Sequence, residues 1–208
     1  VQTCALPILE HQIEELYKAG WGGFFMHSRI GLLTSYMTDE WMEKVKVCVT
    51  KAKELGMEAW LYDEDRWPSG YGGGIVPSLN DTFRQKDLVF ALDKLPEEES
   101  GDALVYRIYS ASFSEGELID IKEIQEKDID SERDKGRSIC YGLQLTHNKG
   151  YLWFNGESYT DLMNTEAVDA FIESTHAKYE KEFSHEFGLS IPGLFTDEPS
   201  SGRSEERR

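Results

Sequence analysis

Short apolar strands that alternate with amphipathic helices constrain this chain more than any other feature. "LEHQIEELYKAG" (9–20) puts Leu9, Ile13, Leu16 and Tyr17 on one helical face and stops at Gly20. "GGFFMHSR" (22–29) follows as a short strand. "TDEWMEKVKVCVTKAKELG" (38–56) predicts a second helix with Thr38 as N-cap and Asp39 and Glu40 in its first turn. Its apolar stripe is Trp41, Val45, Cys48, Val49, Ala52 and Leu55, and Gly56 ends it. "MEAWLYDED" (57–65) is the next strand. "YTDLMN" (159–164) leads into "TEAVDAFIESTHAKYEKEFSHEFG" (165–188), which reads as one helix striped by Val168, Phe171, Ile172, Thr175, Tyr179 and Phe183 and closed by Gly188. "IPGLFTDEP" (191–199) is the last strand. Strands that are apolar throughout, between amphipathic helices, imply an α/β fold with a parallel sheet covered by helices.

Residues 88–158 break this rhythm. "ALVYRIYSA" and "ICYGLQLTHNKGYLWFNG" read as antiparallel strands joined by polar turns, with Asn148-Lys149-Gly150 as a hairpin signal and "PEEES" as a polar run. The expected organisation is βα units over 9–87, a β-rich insertion in one βα loop over 88–158, and further βα units over 159–202. The two ends read differently. "VQTCALPI" (1–8) and "RSEERR" (203–208) are in-frame translations of common sequencing-adapter DNA, and are excluded from fold reasoning. What lies between is expected to be an internal fragment of a longer gene.

Polar residues gather wherever an apolar strand stops: His27-Ser28-Arg29, then Asp63 to Arg66, then Asp161 and Asn164, then Asp197-Glu198. In a parallel (β/α)8 barrel all strand C-termini point to one face, where the βα loops build the active site. The reading is therefore a partial barrel of this kind, about half of it, with four strands present. An open doubly wound sheet would also place a ligand at its strand ends. No glycine-rich phosphate loop opens a helix, since "GYGGG" lacks the lysine that such loops carry, and no cofactor is expected.

Like charges side by side repel, so Asp63, Glu64 and Asp65 need compensation, for instance from Arg66 or Arg29. "FTDEP" sets Glu198 beside Asp197 before a proline. Burial and the charge of Asp197 would keep Glu198 protonated, as a general acid requires. The bland alternatives are an acid pair that caps the next loop and, for "YDEDRWPSG", a local ion-pair cluster at a tight turn. Trp60 reads as core, and Trp67, among polar residues, as a sugar-stacking platform. His147, His176 and His185 read as surface residues.

Charge limits the partners. With 22 basic against 39 acidic residues, a net charge of −17, nucleic acid is not expected. At 39% hydrophobic and 12% aromatic residues the chain is globular rather than disordered. No apolar run reaches the ~20 residues that span a bilayer, so no membrane association is expected. Cys4 falls in the adapter-like segment, and Cys48 and Cys140 have neither metal-ligand nor disulfide-framework spacing.

"GGFFMHSRIGLLTSYMTDEWMEKV", "AKELGMEAWLYDEDRWPSGYGGG" and "IPGLFTDEP", in that order, resemble bacterial TIM-barrel glycoside hydrolases related to the α-L-rhamnosidase family numbered 106. The resemblance implies hydrolysis of a glycosidic bond by paired carboxylates, with a carbohydrate substrate, and a barrel strand before and large β-domains after this segment. It assigns Glu198 as acid or acid/base, with Asp197 beside it. "DEP" also resembles the "NEP" of many retaining barrel hydrolases, with Asp197 in place of the asparagine that holds a sugar hydroxyl. His27, Arg29, Asp63, Glu64, Asp65 and Arg66 would then bind sugar hydroxyls and Trp67 would form an aromatic wall. The fragment alone is expected to be inactive. Two other readings stay open. One is a metal-dependent barrel hydrolase that uses Asp63, Asp65 and Asp197. The other is a non-catalytic carbohydrate-binding protein, in which Glu198 would point away from Trp67. The oligomeric state is also open.

Overall fold

The computed structural model describes residues 5–95 and 102–200, so Val1–Cys4, the "PEEES" run and the adapter-like Arg203–Arg208 lie outside the described residues. Along the chain the elements are α1 (Ala5–Lys18), β1 (Gly23–Phe25), α2 (Asp39–Leu55), β2 (Glu58–Tyr62) and the short α3 (Ile75–Leu79). There follow β3 (Lys86–Leu92), β4 (Asp102–Ser114), β5 (Glu117–Ile124), α4 (Ile129–Asp134) and β6 (Ser138–Thr146). The last are α5 (Thr165–Ser174), α6 (His176–Phe183) and β7 (Leu194–Phe195). The chain divides into two compact units, Val1–Phe83 with Leu162–Arg208, and Arg84–Asp161.

The first unit holds a three-stranded parallel sheet of order β1-β2-β7. Its packing follows from α2. Thr38 Oγ1 caps the helix by accepting from Trp41 N, and Gly56 closes it in the left-handed region, at φ 68°, with its N–H turned back on the last turn. Trp41, Val45, Cys48, Val49 and Ala52 are buried against Met26, Ala59 and Leu61 of the sheet, with Ile13 of α1 and Tyr179 and Phe183 of α6. Fully burying a Val, Leu, Ile, Phe or Met side chain of this cluster contributes about 1.5–3 kcal/mol. The opposite face of the sheet is open: Phe25 is 54% and Phe195 43% exposed. α1 begins at Ala5, inside the segment that reads as adapter.

Three expectations need correction. The described residues contain three parallel strands rather than four. The segment around Thr160 instead makes an isolated antiparallel bridge to Arg84, because Tyr159 O accepts from Gln85 N at 2.9 Å and Asp161 pairs with Lys86. The helix expected over 165–188 breaks at Thr175. The N–H and Oγ1 of Thr175 both donate to Phe171 O, at 3.1 and 2.6 Å, and Ser174 Oγ reaches the same oxygen. Side-chain bonds of this kind compete with the helical ladder and bend it. Ile172 is turned outward as well, 46% exposed, because the buried face of α5 is Ala167, Phe171 and Ser174.

The second unit is an antiparallel sheet of order β3-β6-β4-β5. Ile139, Tyr141 and Leu143 form its buried cluster. Its tight hairpin joins β4 to β5 through Glu115-Gly116, both at positive φ (54° and 85°), the backbone that a two-residue loop requires. Asn148-Lys149-Gly150 does not make a hairpin between strands. It enters a short helical turn at Leu152–Phe154.

Candidate functional site

Because β1, β2 and β7 run parallel, "HSR", "DEDRW" and "TDE" leave the sheet at the same end. The three acids after β2 then separate by role. Asp63 is fully buried: Oδ1 accepts from Ser69 Oγ at 2.5 Å and Oδ2 from Thr196 Oγ1 at 2.6 Å, with His176 Nε2 at 3.4 Å from Oδ2. Asp65 accepts from Ser28 Oγ at 2.7 Å and holds Arg66 through Nε and Nη2, both at 2.9 Å. The pairing of one acid with Arg66, anticipated from charge alone, takes this two-pronged form.

Glu64 lies between them, fully buried, and explains the glycine run. Its Oε2 accepts from the N–H groups of Gly70 (3.0 Å), Tyr71 (3.0 Å) and Gly72 (2.7 Å), and its Oε1 from Asp65 (2.8 Å) and Gly73 (2.5 Å). Gly70, Gly72, Gly73 and Gly74 all have positive φ, which side chains resist and which turns successive N–H groups inward into an anion-binding nest. Burial pushes the Glu64 carboxyl up, while the backbone N–H groups pull the other way and favour the ionised form. Five donors face two oxygens, and none of these partners can accept a carboxyl proton. A carboxylate so engaged has no lone pair left for a sugar hydroxyl, so Glu64 organises the loop rather than binding substrate.

The accessible groups are others. Glu198 is exposed, with φ 43°, and its Oε2 accepts the indole N–H of Trp67 at 3.0 Å. The burial expected for Glu198 is therefore absent, because the chain turns outward immediately after β7. Trp67 is 44% exposed. Asp197 is half-buried and accepts from the Tyr62 hydroxyl, and its backbone is tied to Ser69 by two bonds, Ser69 N to Asp197 O (2.8 Å) and Asp197 N to Ser69 Oγ (2.9 Å). His27 stacks on Tyr62 with ring centroids 3.7 Å apart, and its Nε2 is buried with no hydrogen-bond partner among the described residues. Burial, reinforced by the charge of Arg29, pushes the His27 imidazole below its usual range. Arg29 itself is exposed. Trp60 is half-buried and packs its ring on Phe25.

Sequence reasoning missed Tyr62, Ser69, Thr196 and His176. The signal for Tyr62 is present, since period-two alternation puts it on one face of β2 with Glu58 and Trp60. His176 comes from the break before α6, which no local pattern marks. Among the described residues no group of three or more His, Cys, Asp or Glu side chains is arranged to hold a metal ion. Asp63 and Asp65 instead spend their oxygens on Ser, Thr and Arg donors. No helix among the described residues is long and apolar enough to cross a membrane. Comparison with protein-family models, curated proteins and solved structures finds no match to this chain.

Proposed function

We propose that this chain is part of a glycoside hydrolase, built on roughly half of a (β/α)8 barrel, with Glu198 as general acid or acid/base and Asp197 beside it. Parallel neighbours joined through helices are the repeating unit of such a barrel, and the strands pair in sequence order. The observation that carries the reading is the hydrogen bond from Trp67 to Glu198. It sets an accessible carboxylate against an exposed aromatic face at the strand C-termini. A sugar ring stacked on Trp67 would bring its glycosidic oxygen to Glu198. It would also exclude water there, supplying the desolvation that the open site lacks. Asp197, half-buried beside Glu198, is placed to accept a sugar hydroxyl. A binding-only role expects Glu198 turned away from Trp67, and the indole bond counts against it.

The test is Glu198→Gln in the protein from the complete gene. The amide keeps size and hydrogen bonding but has no proton to transfer. Cleavage of poorly activated glycosides should fall by roughly 10²–10⁴, and an aryl glycoside with a good leaving group should lose less. Equal loss on both substrates, or none, removes Glu198 from the acid role.

A further inference from the structure

Tyr62 ends β2 and is nearly buried, at 5% exposure, yet its hydroxyl reaches out of the sheet to Oδ2 of Asp197. The ring has no freedom to leave. His27 stacks on one side at 3.7 Å with an interplanar angle of 17°, and Phe195 packs at 5.7 Å and 26°. The backbone is fixed as well. Tyr62 O accepts from Tyr179 OH at 3.2 Å, and Tyr179 OH accepts from Trp41 Nε1 at 3.0 Å, so α2 and α6 both hold this residue. One residue therefore connects the packed helices below the sheet, through its backbone carbonyl, to the carboxylate beside Glu198, through its hydroxyl.

We propose that Tyr62 is a positioning residue, whose hydroxyl fixes the rotamer of Asp197 so that this carboxylate faces the substrate next to Glu198. The inference rests on the hydrolase reading for its catalytic consequence, but the coupling of Tyr62 to Asp197 stands apart from it. A carboxylate on a rotatable side chain reaches many orientations, and a charge-assisted bond from a rigid donor selects one. Burial and the neighbouring Asp197 raise the phenol above its ordinary value, so it stays protonated and remains a donor across the working pH range.

The experiment is a double-mutant cycle of Tyr62→Phe and Asp197→Asn in the protein from the complete gene. Tyr62→Phe keeps the ring and its stack on His27 and deletes only the donor. Expected is a fall in kcat of about tenfold with KM within about twofold, and no further fall when Tyr62→Phe is added to Asp197→Asn. Losses that multiply, or a change confined to KM, would overturn the positioning role. The same cycle read by thermal unfolding needs no activity. Non-additive shifts support the coupling, and additive shifts refute it. If Glu198→Gln leaves turnover intact, the hydrolase reading falls, and the unfolding cycle still decides whether Tyr62 acts through Asp197.

Discussion

The indole N–H of Trp67 donates to Oε2 of Glu198 at 3.0 Å, joining the loop after β2 to the turn after β7. Trp67 thus offers a ring face to a substrate and a hydrogen bond to the proposed acid, and the two roles can be separated. Trp67→Phe keeps an aromatic face and removes the donor. On poorly activated glycosides kcat should fall about tenfold, the scale of one bond to a charged group, while KM stays within about twofold. Steady-state kinetics of Trp67→Phe beside the parent protein check this. If Trp67→Phe raises KM and spares kcat, the indole contributes only stacking.

Glu64 gives a second prediction, about stability. Glu64→Gln turns one acceptor oxygen into an N–H donor that faces backbone N–H groups, leaving buried donors unpaired. The cost should be at least ~3 kcal/mol, measured by urea unfolding. Glu64→Ala empties the nest, and added formate should raise its melting temperature while leaving the parent unchanged. No rescue by formate, with a loss below about 1 kcal/mol for Glu64→Gln, would mean the nest is not an anion site.

These two residues show what was legible in the sequence. The cap at Thr38, the stripe from Trp41 to Ala52 and the stop at Gly56 were readable because each depends on neighbours within a turn. The acids after Tyr62 announced an unusual strand end, but not their division of labour. Their partners, Thr196 and His176, come from elements distant in sequence. The Glu64 nest could be inferred only by knowing that four glycines take positive φ. The exposure of Glu198 depends on the turn after β7, which no pattern in "FTDEP" specifies.

Backbone contact sets a third prediction. In Gly23, opposite Glu58 across β1 and β2, an added Cβ would stand 2.7 Å from Glu58 O. A carbonyl oxygen within a parallel ladder cannot retreat without breaking the ladder. Gly23→Ala should destabilise by about 1–3 kcal/mol, the usual cost of overpacking, as judged by chemical denaturation. Gly22→Ala, next to it, meets nothing within 4 Å and serves as the control.

His27 predicts a pH dependence. Burial and Arg29 hold its folded-state pKa below the ordinary 6.5, with Asp197 and Asp65 opposing. As pH falls through about 6.5 the unfolded chain takes up this proton first, so the contribution of neutral His27 is complete above that value and is lost below it. Melting temperature should decline between pH 7 and pH 5, and His27→Gln should flatten that decline. An equal slope in both proteins would place the acid sensitivity elsewhere.

The last prediction follows from the proposed partial barrel. Within the three-stranded sheet β1 and β7 are edges, and the face away from α2 carries Phe25 and Phe195 in edge-to-face contact at 5.6 Å, both about half exposed. In a closed barrel such residues meet the side chains of opposing strands, and the edges are paired. With neither, an open edge beside an apolar face promotes association with other chains. A net charge of −17 opposes that association but adds no core. The chain expressed by itself should therefore self-associate on size-exclusion chromatography and show no turnover on an aryl-glycoside panel. Phe25→Ser and Phe195→Ser together should shift the eluted species toward monomer. A parent that elutes as a monomer, unfolds cooperatively in urea and turns over substrate above blank would mean that three strands complete the catalytic unit, and the partial-barrel reading would fall.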